Sequence, residues 1–245
     1  MSINTAQLTA ACIAFKVPVP PAVTDAEAVV TGAEKLLASI RTESAPDLGA
    51  VTAKTVQKTY DQAVAWLTHS ERERIAEQML ALWRPRVSEA WRSRIGPLCE
   101  AFRKPFDDAV ANFSAAYDEL HPIADPTTGL PDASRAIDAG MADTYDRYAK
   151  AGAKLTQLGA LREMFATEIP VDLGVSGGGA NGYQQISRIA RITSRDLASQ
   201  LPALLGGHRA HDSGWYAALL RTPGVKVMWQ TSEDQPKWLA LGKVA

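Results

Sequence analysis

A chain of 245 residues with 46% hydrophobic and 22% charged residues has the composition of a folded protein, which argues against bulk disorder. Its two cysteines, Cys12 and Cys99, form no CxxC and support neither a disulfide framework nor a thiolate metal site. No run approaches the ~18 consecutive apolar residues of a membrane span, and the net charge of −1 is unevenly spread. Residues 183–245 carry eight Lys/Arg against four acids, a balance of +4, so residues 1–182 hold −5. A basic end on an acidic body is compatible with an anionic partner there.

Residues 1–23 read as an extended segment, because Val17-Pro18-Val19-Pro20-Pro21 cannot sustain a helix. The mildly apolar Leu8–Val19 follows no positive charge, so it does not read as a secretory signal. Thr24-Asp25-Ala26-Glu27 has the form of a capping box, and Val29, Ala33, Leu36, Leu37 and Ile40 then recur on one helical face.

After Pro46 and Gly49, apolar residues continue at three/four spacing from Val56 through Leu120, which predicts a long helical spine. Ser70-Glu71-Arg72-Glu73 is a second capping box, and Pro85, Pro97 and Pro105 each kink a helix or mark its first turn. The spine is therefore expected as several helices in series. Residues 121–131 form a loop with three prolines, and Asp132 caps a further helix with Ile137, Met141, Tyr145, Tyr148, Leu155, Leu158 and Phe165 on its face, up to Ile169-Pro170.

Five glycines within residues 174–182 read as a flexible linker, placing a boundary at 171–182. Beyond it, Tyr183–Arg191 reads as a helix, Thr193/Ser194 caps a second through Leu204, and Ser213–Leu220 forms a third. Val225–Thr231 and Lys237–Leu241 bracket Ser232–Pro236 as a terminal hairpin. The expected fold is mainly α. A long-helix bundle or coiled-coil-like hairpin (24–170) carries a small three-helix plus β-hairpin module (183–245). Heptads with complementary flanking charges are not sustained, which favours a bundle over a regular coiled coil.

Three short helices followed by a hairpin, with the run Ile189–Leu201, resemble a winged helix-turn-helix over about 60 residues. The resemblance implies that Ser213–Leu220 is the recognition helix and Ser232–Pro236 the wing tip. The helix, however, lacks Arg, Lys, Asn and Gln for base edges, and the wing tip carries Glu233 and Asp234. Backbone contacts then fall to Arg188, Arg191, Arg195 and Arg209.

Other motifs read as structure. Gly174-Val175-Ser176-Gly177-Gly178 matches G-x-S-x-G without the strand and helix a nucleophile elbow needs. His208-Arg209-Ala210-His211-Asp212 lacks further zinc ligands and reads as solvated loop residues, and Asp107/Asp108 and Asp143/Asp146 lie on polar faces as solvated charge. His69 and His121 fall at helix ends. No catalytic set, cofactor or metal is expected.

Of the six tryptophans, Trp66, Trp83, Trp91 and Trp215 are the candidate interface residues, with core packing as the alternative for each. The expected function is that of a non-catalytic structural, assembly or adaptor protein working through long helical contact surfaces, by self-association or with a protein partner. A viral or prophage structural component fits this pattern. The alternative is a nucleic-acid-binding protein using the basic C-terminal module. A cytoplasmic location, or an assembly built in the cytoplasm, is expected, without membrane association.

Overall fold

The computed structural model describes residues 4–165, 188–192, 197, 200–201, 205 and 211–230. These are mainly helical, with one two-stranded antiparallel sheet. The first helix, α1 (Thr5–Phe15), replaces the extended segment expected for residues 1–23. The prolines forbid helix only from about Val17 onward. Lys16 adopts a left-handed φ of 57°, and the N–H of Val17 donates to the carbonyl of Cys12 at 2.8 Å. That is the Schellman way of ending a helix, here with lysine where glycine is usual.

α2 (Pro21–Thr42) starts three residues before the expected capping box, because Pro21 has its φ preset for a first helical turn and loses no useful donor there. Its buried stripe is Val23, Ala26, Ala33, Leu37 and Ile40, whereas Leu36 is exposed. A 3₁₀ turn (Leu48–Ala50) precedes the spine, which is indeed divided. It consists of α3 (Val56–Leu67), α4 (His69–Ser93), α5 (Ile95–Ala101) and α6 (Arg103–Leu120). Pro97 and Pro105 fall in first turns, where main-chain N–H groups have no helical partner. Pro85 sits inside α4, and Ser70 lies within its first turn instead of capping it.

The single helix expected after Asp132 is two. Asp132 caps α7 (Ala133–Asp138) by accepting from the N–H of Arg135, and α8 (Ala142–Phe165) follows. Gly140 at φ 70° separates them, with the Met141 N–H donating to Ala136 at 2.7 Å.

The described chain packs as two units. One comprises residues up to Ala10 and Pro18–Arg94; the other comprises Ala11–Val17 and the described residues from Ile95 onward. This division falls between Arg94 and Ile95; the boundary expected at 171–182 lies outside the described residues.

In the N-terminal unit, α2 and α4 run antiparallel, as their ion pairs Arg41–Glu73, Arg72–Glu43 and Arg84–Glu34 require. Ala33, Leu37, Ile40, Ala76 and Leu80 form a buried cluster between them, flanked by Val30 and Met79.

In the C-terminal unit, α6 and α8 pack through aromatic contacts such as Phe113–Tyr148, and Phe102, just before α6, meets Phe165 of α8. α9 (Ser213–Arg221) buries Trp215, Tyr216 and Leu219. β1 (Ala190–Ile192) pairs antiparallel with β2 (Val225–Val227), setting Arg191 opposite Lys226.

The expected helix Tyr183–Arg191 is thus corrected over its described end. Ile189 and Ile192 are β-branched and buried, and from Ala190 the chain alternates buried, exposed, buried as a strand does. Within the described residues the partner of Val225–Val227 is β1, whereas the expected hairpin partner Lys237–Leu241 lies outside them. Both cysteines are free and fully buried; burial pushes the Cys12 thiol up to about 11 and raises Cys99 as well.

Candidate functional site

The feature most suited to function is an uncovered face of the N-terminal unit. No residue of α3 is buried. Val56, Tyr60, Val64 and Leu67, spaced four, four and three, are 54%, 64%, 46% and 81% exposed. Their spacing is that of a core-facing stripe, yet they meet solvent. Ile75 and Leu82, seven apart on α4, are also exposed. Along one flank of the stripe the Gln57 amide donates to Asp61 at 3.0 Å.

The stripe is set by ties at its two ends. Thr52 and Thr55 close a turn before α3, with the Val56 N–H donating to Thr52 at 2.9 Å. At the far end Trp66 stacks on His69, ring centroids 4.2 Å apart. His69 Nδ1 lies 3.5 Å from the Glu43 carboxylate, which also accepts two hydrogen bonds from Arg72 at 2.8 and 2.9 Å. The Arg72 guanidinium holds the Glu43 carboxyl below its ordinary value. The α3–α4 junction is thereby pinned to the end of α2 while the stripe faces outward.

The four candidate interface tryptophans divide. Trp66 and Trp83 are half-buried, the latter with the Arg86 guanidinium 4.6 Å from its ring centroid. Trp91 and Trp215 are 0% and 3% exposed, so for both the core-packing alternative holds and neither presents a surface.

Of the four candidate arginines, two lie among the described residues. Arg188 is ion-paired with Glu163 and largely buried, whereas Arg191 is exposed on β1; Arg195 and Arg209 lie outside the described residues. Because the helix ends at Ile189, Arg188 and Arg191 share no helical face. α9, the recognition helix implied by the resemblance, turns Trp215, Tyr216 and Leu219 into the core.

A buried polar cluster between α8 and residues 188–230 was not anticipated. Arg162 is fully buried and donates through Nε and Nη2 to the Gln230 carbonyl at 3.1 and 2.9 Å. Burial pulls its guanidinium below the ordinary value. Glu163 pairs with Arg188 and faces His211 Nε2 at 3.5 Å. His211 Nδ1 is 3.3 Å from the Tyr216 hydroxyl, which donates to the Leu155 carbonyl at 3.0 Å. Glu163, His211 and Tyr216 thus line up as a proton relay would. But the hydroxyl proton is committed to main chain, Tyr216 is 0% exposed, and burial raises its phenol far above neutral pH. The cluster fixes packing and does not present a nucleophile. Its sequence signals were Arg162, standing between Leu158 and Phe165 on an otherwise apolar face, and His211 in the run His208–Asp212; that histidine is buried at 7% exposure and is not the solvated loop residue expected there.

Among the described residues no group of three or more His, Cys, Asp or Glu could hold a metal ion, and no helix is long and apolar enough to cross a membrane. The G-x-S-x-G match at Gly174–Gly178 lies outside them. Asp108 and Asp146 are exposed and paired with Lys104 and Lys150 at 2.6 Å, four residues away on their own helices. A shallow cleft of about 330 Å³ in the N-terminal unit includes Glu27 and Arg84 in its lining, without a cysteine or histidine. No family model matches the chain, and neither a curated protein nor a solved structure does.

Proposed function

We propose that this chain is a non-catalytic interaction or assembly protein that works through the exposed face of α3 and the adjoining part of α4. One observation carries the reading: α3 is a regular amphipathic helix with none of its residues buried. A twelve-residue helix is marginal alone in water, and covering its apolar stripe is what would stabilise it. The thin α2–α4 core points the same way, since two helices bury only one face each.

Tyr60→Asp with Leu67→Asp tests the reading. Both side chains lie outside the core, so the fold should persist, with a loss of no more than about 1 kcal/mol confined to α3. Association, with itself or with proteins retained from the native source, should be lost. A double variant that binds everything the wild type binds would sink the reading.

A second reading, contact with nucleic-acid backbone, is favoured by Arg191 and Lys226. They are exposed and directly opposite across the sheet, where like charges repel unless an anion lies between them. Asp107 is near enough to Lys226 to feel its charge, which relieves part of that repulsion. Duplex and single-strand binding by the full chain should weaken with salt, and Arg191→Ala with Lys226→Ala should lower the log–log slope by about two units. Binding that is absent at low salt, or a slope that the double change leaves alone, would remove this reading.

A further inference from the structure

We infer that α3 is a separately opening arm, hinged at Thr68 and held shut by a clasp in which Glu43 positions His69 and His69 holds Trp66. The inference concerns how α3 is held and does not depend on what its stripe meets.

Few side chains join α3 to the rest of its unit. Thr59, Ala63 and Trp66, spaced four and three, are its half-buried residues, so two small side chains and one large one make its inner face. The stripe of Val56, Tyr60, Val64 and Leu67 lies beside that face and meets solvent. A helix ordinarily turns its most apolar side inward; α3 does not, so little apolar burial holds it. The Gln57–Asp61 bond stays within the helix, and among the described residues no ion pair ties an α3 side chain to another element. The turn closed by Thr52 and Thr55 is likewise local to its own end of α3.

Thr68 alone separates α3 from α4, at φ −98° and ψ 2°. Its hydroxyl donates back to the Ala65 carbonyl at 3.1 Å and does not cap α4. One residue with two soft dihedrals is enough to change the angle between two helices.

The clasp starts just after α2. The Glu43 carboxylate accepts from Arg72 at 2.8 and 2.9 Å and lies 3.5 Å from His69 Nδ1, so two residues one turn apart on α4 share one anion. That orients the imidazole on which Trp66 stacks, with 4.2 Å between ring centroids and 25° between planes. Trp66, the only large side chain on the inner face of α3, is therefore the last link of a chain anchored in α2. A twelve-residue helix held in this way opens on its own, without the α2–α4 core.

Hydrogen exchange of the full chain tests this. Main-chain amides of 56–67 should exchange faster than those of 76–91 in the wild type. Glu43→Ala should speed 56–67 roughly fivefold, the upper range for an exposed ion pair, and Trp66→Ala about tenfold, as loss of an aromatic stack allows. Residues 76–91 should stay near wild type in both. Glu34→Ala, which breaks the exposed pair with Arg84 on the same two helices, should leave 56–67 unchanged. Because Glu43 acts through His69 on Trp66, the double variant Glu43→Ala with Trp66→Ala should exchange no faster than Trp66→Ala alone. Independent contacts would instead multiply, to about fiftyfold, and that result would overturn the clasp. Exchange of 56–67 as slow as that of 76–91, or all segments accelerating together, would overturn the separately opening arm.

Discussion

Gly159→Ala is expected to destabilise the protein by about 2–3 kcal/mol, although alanine is the better helix former. A Cβ at position 159 would lie 2.4 Å from Nδ1 and 2.7 Å from Cγ of His211, and 2.7 Å from the Tyr216 hydroxyl. None of these can move aside at low cost. The Tyr216 hydroxyl is bonded to Leu155, and the His211 carbonyl accepts from Thr156 Oγ1 at 2.6 Å. His211 itself holds φ at 66°, a conformation non-glycine residues seldom adopt, so its backbone has little freedom left.

Gly152 is a milder case, because the closest atom to its added Cβ is Ser213 Oγ, which can rotate away. Gly32, in the middle of α2, has nothing within 4 Å, and Gly32→Ala should stabilise by about 0.5–1 kcal/mol. Urea unfolding of the three variants is the measurement. A Gly159→Ala chain as stable as wild type would show that residues 211–216 are not held against α8 in this way.

The helical character of residues 50–165 was legible because the three/four spacing of its apolar residues is long and regular, and the prolines marked where it would divide. The start of α2 was misplaced by three residues because Thr24–Glu27 satisfies the capping-box pattern while Pro21 satisfies a different start signal just upstream, and both cannot govern. α1 was hidden by reasoning outward from the prolines, which constrain only the residues beside them. β1 was lost because Ile189–Ile192 is too short to separate period two from period 3.6 on pattern alone; what decides it is pairing with Val225–Val227, far along the chain.

The candidate site shows a sharper limit. Periodicity identified Val56, Tyr60, Val64 and Leu67 as an apolar face, and it assigned that face correctly to a helix. Whether such a face is covered depends on where the rest of the chain packs, and that information is not local. Trp91 and Trp66 make the same point in reverse. Both stand on the spine, yet one is fully enclosed and the other half-buried beside His69. Arg162 stayed invisible as a core residue because, among the described residues, its hydrogen bonds go to a main-chain carbonyl and its guanidinium lies near an indole ring, both contributed by residues 229–230.

Phe102→Ala is the larger expected loss, about 3–5 kcal/mol, a major share of the ~5–15 kcal/mol that holds a typical domain folded. Phe102 joins α5 to α6 and is 0% exposed. Its ring centroid lies 6.1 Å from Phe15, 6.0 Å from Phe165 and 6.3 Å from Trp229, so it gathers the ends of α1 and α8 and the segment after β2 around one point. Trp229 is in turn packed on Phe106 at 5.5 Å, which leaves little room for neighbours to collapse into the space a lost ring would open. Phe102→Leu keeps most of the volume and should cost roughly 1–1.5 kcal/mol. Trp66→Ala, at a half-buried ring whose stacking partner is a single histidine, should cost less than Phe102→Ala despite removing more atoms. Thermal and urea unfolding of the three variants rank them. If Trp66→Ala proved the more damaging, Phe102 would not be the centre of its unit, and α3 would be held by contacts other than those its exposed stripe leaves open.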